Sequence, residues 1–192
     1  MLEARTIAEA YIYIEVTLIG RERADYRRYS TVAKEDDSWV VRFDGPYEGK
    51  HHRIELAVPV DSEARAEQLG RLTYGQGRST LIDAGQWGLV ELGNAAQAEA
   101  GMTHLAGRTP DREWYLAIRR AWSTADAAAA ELAKFIPPDA DQPPPTAFWT
   151  PDGLQLWQTS TELFGRARIA EARARYQREW EEFGARYRPA EG

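Results

Sequence analysis

The 192-residue sequence contains no cysteine, which excludes disulfides, thiolate nucleophiles and every thiolate metal site. Histidine occurs three times, as the His51-His52 pair and as His104, and neither HxH nor HExxH spacing is present. Lysine is almost as scarce. Lys34, Lys50 and Lys134 are the only three among 24 cations, the rest being arginine. Against 30 acids these leave a net charge of −6, which argues against general nucleic-acid affinity, since that needs basic surface to displace counterions. Long apolar runs are missing too. Nothing approaches the roughly 18 uncharged apolar residues of a membrane-spanning helix. The opening stretch MLEARTIAEAYIYIEV is acidic within three residues and has no basic region ahead of an apolar one, so it does not read as a secretory signal. A cytoplasmic protein that stays off membranes is expected.

Aromatic residues are abundant: seven Trp, nine Tyr and five Phe, enough for the core of a single domain over 1–192. The first third alternates with period two. Strands are expected at Tyr11–Leu18, more weakly at Tyr26–Ala33, at Ser38–Asp44 through Trp39, Val41 and Phe43, and at Arg53–Val58 through Ile54, Leu56 and Val58. Glu35-Asp36-Asp37 and Gly45-Pro46 read as the intervening turns, making residues 1–60 an antiparallel β-meander.

Helices are expected to follow. Residues 83–136 read as a helical hairpin. Asp83 caps its first arm, which runs through Trp87, Val90 and Ala98 and is weakened by Gly85, Gly88 and Gly93. The second arm starts at Thr109-Pro110-Asp111 and carries Trp114, Ile118, Trp122, Ala125, Ala129, Leu132 and Ile136 at spacings of three and four. Pro137-Pro138 ends it and opens a proline-rich strap over 137–150. C-terminal helices over 151–188 complete the chain, a short one near 153–159 and a long one over about 162–188. The fold class is α+β, an N-terminal antiparallel β-meander followed by a helical half of three to four helices.

No reaction emerges from the motifs. Gly75-Gln76-Gly77-Arg78-Ser79-Thr80 resembles the tail of a phosphate-binding loop, but Leu72 stands where that loop needs glycine and Arg78 where it needs lysine, so an ordinary loop is expected. His51 and His52 point to opposite faces of a strand and cannot easily share one ion. Thr159-Ser160-Thr161 before Glu162 suits the caps of a helix start better than a catalytic set. Glu179 and Glu181 face apart on a helix and form no glycosidase pair. Seven arginines lie between 165 and 188, interleaved with four glutamates at salt-bridging spacings, as on a solvated helix face. No metal site, cofactor or catalytic residue is assigned.

Outside that helix the acids gather at turns. Glu35, Asp36 and Asp37 form one group, Asp44 and Glu48 flank Tyr47 in a second, and Asp139 and Asp141 lie near Phe148 and Trp149 in a third. Acid with aromatic at loop tips is the composition of a protein-binding rim. The candidate partner-binding residues are Glu35, Asp36, Asp37, Asp44, Tyr47 and Glu48.

Three strings then carry a resemblance: AEAYIYIEV (8–16), RSTLIDAGQWGLVE (78–91) and AAAAELAKFIPPDAD with TAFWT (127–150). Together they resemble a group of small, mostly uncharacterised actinobacterial proteins that carry two CxxC pairs in a zinc-ribbon-like arrangement, some encoded beside polymorphic toxins. The resemblance puts the first pair at Ile19 and Glu22 and the second at Tyr47 and Lys50, none of which holds zinc as a ribbon does. It implies a member that has lost its metal and acts as an immunity-type protein, non-enzymatic, binding and neutralising a cognate toxin. The rival expectation is an enzyme or small-ligand binder, with a pocket between sheet and helices lined by Trp87, Trp114 and Trp122.

Overall fold

The segment that alternates most cleanly, Tyr11–Leu18, is a helix. In the computed structural model, which describes residues 1–18 and 26–187, α1 runs Ile7–Thr17. Its start is set by Thr6, whose hydroxyl accepts from Glu9 N–H, while the Glu9 carboxylate turns back to accept from Arg5 N–H at 2.6 Å and from the Arg5 guanidinium. Thr6 and Glu9 have the Thr-x-x-Glu spacing of a capping box, with Glu9 taking the N–H of Arg5 in place of that of Thr6. Ala10, Ile12, Ile14, Val16 and Leu18 are buried, and Tyr11, Tyr13 and Glu15 half-buried, so the helix is enclosed almost all round. The apparent period of two was the trace of a helix with no fully wet face.

The sheet has four strands: β1 (Leu2–Glu3), β2 (Ser30–Glu35), β3 (Ser38–Tyr47) and β4 (Lys50–Pro59), in the order β1-β4-β3-β2. The three longer strands form the expected antiparallel meander. β1 is parallel to β4, so the sheet is mixed rather than a pure meander. Ala10, Ile14 and Leu18 of α1 pack on the face that carries Val41, Phe43, Leu56 and Val58. β2 begins later than expected, since residues 26–29 form a turn, and Ser30 Oγ closes it on Tyr26 O.

Gly45-Pro46 is not a turn. Both residues lie within β3, paired with His52 and His51. β2 pairs with β3 only as far as Ser30↔Phe43, so Pro46 sits where β3 has no neighbour on that side and its missing N–H breaks no ladder. A Cβ on Gly45 would come within 2.6 Å of the Tyr29 ring, which lies across the strand there. The turn is instead Glu48-Gly49, with φ of 47° and 73°, a two-residue loop of the type I′ kind. A further helix, α2 (Val60–Gln68), follows β4. It buries none of its residues and left no apolar stripe to read.

The chain forms two units, Met1–Ile82 and Asp83–Gly192. In the second, α3 (Ala84–Leu105) and α4 (Arg112–Ala133) form an antiparallel hairpin. α5 (Pro151–Thr159) packs on α3, and α6 (Arg166–Tyr187) packs along α4. The described residues thus hold six α-helices in total rather than three to four, the excess being α1 and α2, which lie ahead of the helical half. Asp111 caps α4 as expected, accepting from Trp114 N–H at 2.9 Å. The expected last helix is broken: a 3-10 turn at Thr161–Phe164 and extended Gly165 precede α6. Thr159 and Thr161 donate to carbonyls of Gln155, Leu156 and Trp157, so these hydroxyls close the end of α5 instead of starting the next helix.

The glycines of α3 do not break it. A methyl group on Gly85 would overlap the Gly153 backbone, so here two helix starts meet main chain to main chain. Asp83 organises the junction. Its side chain is fully buried, with Oδ1 accepting from Gln86 N–H (2.7 Å) and Oδ2 from Trp149 N–H (3.0 Å), Thr150 N–H (2.7 Å) and Thr150 Oγ1 (2.6 Å). One carboxylate caps α3 and fixes the entry to α5. The proline strap is tied down at its other end, where the Arg166 guanidinium donates to Pro137 O and Ala140 O.

Candidate functional site

The sheet separates the candidate partner-binding residues into two places. Asp36 and Asp37 form the two-residue loop between β2 and β3, closed by the Glu35↔Ser38 pair. Glu48 stands in the loop at the opposite end of β3, beside the Tyr47↔Lys50 pair. Ten residues of extended chain span about 30 Å, so the two tips do not share a surface.

At the first tip all three acids are exposed. Glu35 accepts from Arg42 at 2.7 Å, and Arg42 also reaches Glu55 at 3.1 Å across the sheet. The hydrogen bonds that Arg42 donates to Glu35 and Glu55 hold its pKa above the ordinary value. Asp36 and Asp37 have no ion-pair partner among the described residues. Asp36 takes the left-handed conformation (φ 48°), which a short polar side chain tolerates, and Asp37 O accepts from Val60 N–H at 3.1 Å. The tip is therefore anchored by backbone while its two carboxylates face solvent.

At the second tip Asp44 lies within β3 and bonds the His51 ring nitrogen across the hairpin at 2.5 Å. Tyr47 is buried, its ring edge-on to His52 with centroids 5.8 Å apart. Of the four positions where the double-CxxC resemblance puts cysteine, Tyr47 and Lys50 close this hairpin, and Ile19 and Glu22 lie outside the described residues. No group of three or more metal-ligating side chains occurs among the described residues.

The helical unit contains a polar cluster that no motif announced. Glu91 of α3 is fully buried, and its carboxylate accepts from Arg168 Nη1 at 2.6 and 2.8 Å and from Tyr176 Oη at 2.8 Å. Burial first, and the Glu91 charge second, push the Tyr176 pKa up to about 12, so the phenol stays protonated as the donor. Arg175 pairs with Glu99 at 3.3 Å and Arg173 with Asp126 at 2.8 Å. Much of the basic face of α6 is thus spent on acids of α3 and α4. A hollow of about 270 Å³ opens beside Arg168, Arg175, Tyr176 and Arg178. The only sequence signal for this cluster was Glu91 among the apolar positions of α3.

A second hollow, of about 310 Å³, lies between α2 and the Gly75–Gly77 loop. Ser62 Oγ donates to Arg5 O, which ties α2 to the residue ahead of α1, and Thr73 Oγ1 accepts from Gly75 N–H within the loop. The Arg5 guanidinium also donates to Gly77 O, which pins the segment read as an ordinary loop. Of the three tryptophans expected to line a pocket, Trp87 and Trp122 are enclosed in the core of the helical unit. Trp114 is 42 % exposed and stacks on His104. No helix among the described residues is long and apolar enough to cross a membrane. Comparison with family models, curated proteins and solved structures gives no match.

Proposed function

We propose that the protein acts by binding a basic protein partner through the β2–β3 tip, and that this partner is a toxin which it neutralises. The observation that carries the reading is the state of Asp36 and Asp37: two exposed carboxylates without ion pairs among the described residues, on a turn whose backbone is tied to the start of α2. Unpaired charge on a pre-ordered tip steers an oppositely charged partner and loses little entropy when it docks. The net charge of −6 works in the same direction. The likeness to proteins encoded beside toxins supports the choice of partner, and a binder of this kind needs no catalytic residues of its own.

The test is co-expression with the products of the genes adjacent to its own, one of which the proposal requires to be a toxin. Wild type should restore growth and co-purify with the toxin. The Asp36→Lys/Asp37→Lys variant should associate about tenfold more slowly at low salt while losing no more than about 1–2 kcal/mol of stability, the cost of lysine at the left-handed Asp36 position. Failure of wild type to rescue growth or form a complex would overturn the proposal.

A further inference from the structure

β2 is the outermost strand of the sheet, with no strand beyond it among the described residues. The phase of its hydrogen bonds shows which backbone groups that leaves open. The Asp36-Asp37 loop closes on Glu35↔Ser38, and in a two-residue antiparallel turn the closing pair exchanges both backbone bonds. Bonded pairs then recur at Ala33, Thr31 and Tyr29, and the 3.0 Å bond from Asp44 N–H to Tyr29 O falls on that phase. Val32 and Lys34 therefore point both N–H and C=O away from the sheet. Both residues are exposed, and Val32 is 38 % accessible. This free edge leads directly into Glu35, Asp36 and Asp37.

We propose that the β2 edge, resting on the partner-binding reading above, receives an extended segment of the partner as a fifth, antiparallel strand, with arginine or lysine at that segment's N-terminal end. Antiparallel pairing is the stronger kind and continues the geometry of β2 with β3. It also brings the incoming N-terminal end to the tip, where Asp36 and Asp37 select positive charge. Backbone bonds at Val32 and Lys34 hold the segment, and the tip sets its direction. Lys34 discourages pairing with basic residues in mid-segment, so cations are accepted only at the end.

The probe is a synthetic peptide, acetyl-Arg-Arg-Thr-Val-Thr-Val-Thr-amide, added to the full chain while amide exchange is followed residue by residue. Bound peptide should slow exchange at Val32 and Lys34 at least tenfold. The same peptide in reversed order, and one N-methylated at alternate residues, should bind several-fold more weakly or not at all. Exchange at Val32 and Lys34 that is unchanged, or equal binding by the N-methylated peptide, overturns the inference. So does chain-length growth without peptide, which would assign the edge to a second copy. If the edge fails this test while Asp36→Lys/Asp37→Lys still slows association with the toxin, the tip reading stands alone. If that variant has no effect either, both fall.

Discussion

Replacing Asp83 with alanine takes one buried carboxylate away from four donors. Gln86 N–H, Trp149 N–H and Thr150 N–H cannot turn elsewhere, because each belongs to a backbone held by α3 or by the entry to α5. A buried donor left without a partner costs about 1–3 kcal/mol, and the lost N-cap of α3, about 1 kcal/mol, overlaps with the first of these. With some water entering the vacated space, the expected loss is about 4 kcal/mol. For a chain of this size that is roughly 10 °C in melting temperature. Asp83→Asn keeps one acceptor but turns an amide NH₂ toward three donors, and should lose about 3 kcal/mol. Thr150→Val removes one bond to Asp83 and the cap on Gly153 N–H, about 1 kcal/mol. Urea and thermal unfolding followed by circular dichroism and tryptophan fluorescence measure all three. If Asp83→Ala unfolds within about 1 kcal/mol of wild type, the account of the α3–α5 junction is wrong.

The same unfolding assays check three further expectations, and metal analysis a fourth. Glu91→Gln strands the Arg168 charge beside a buried amide and should cost about 3 kcal/mol. Because the folded-state pKa of Tyr176 lies above the ordinary 10, its bond to Glu91 contributes fully below pH 10 and is lost as pH rises through about 12. Wild type should therefore lose stability across that window more steeply than Tyr176→Phe. Gly93→Ala, on an exposed stretch of α3 with nothing within 4 Å, should stabilise by about 0.5–1 kcal/mol, whereas Gly85→Ala should prevent the helical unit from folding normally. Purified protein should hold no stoichiometric zinc and unfold identically with and without chelator. One zinc per chain would contradict the loss of metal implied by the double-CxxC resemblance.

The helical half was legible because α4 carries a one-sided stripe and its start is marked by Asp111; Pro137, read as its stop, lies beyond the turn that follows its end at Ala133. Asp83 could be read as a cap, but its second role could not, because Thr150 lies far along the chain. α1 misled because a helix enclosed on nearly every side has no polar face, and its tyrosines and isoleucines mimic a strand; the Thr6–Glu9 spacing was the signal to weigh more heavily. α2 failed for the opposite reason. Its Glu, Ala, Arg and Gln favour a helix by propensity, but it buries no residue and so carried no stripe of large apolar side chains to mark it. The acidic groups were placed at turns, correctly for Asp36 and Asp37. The expected strand 38–44 already put the two tips at opposite ends of one strand; what Gly45-Pro46 hid is that β3 runs on to Tyr47 and that Asp44 lies inside it.

The most direct test of the central claim is the association rate with the co-expressed toxin, measured for wild type and Asp36→Lys/Asp37→Lys at low and high salt. The rate should be fast and salt-sensitive for wild type, about tenfold slower for the variant at low salt, and nearly equal for the two at high salt. Equal rates at low salt, or no complex with wild type, would contradict that claim.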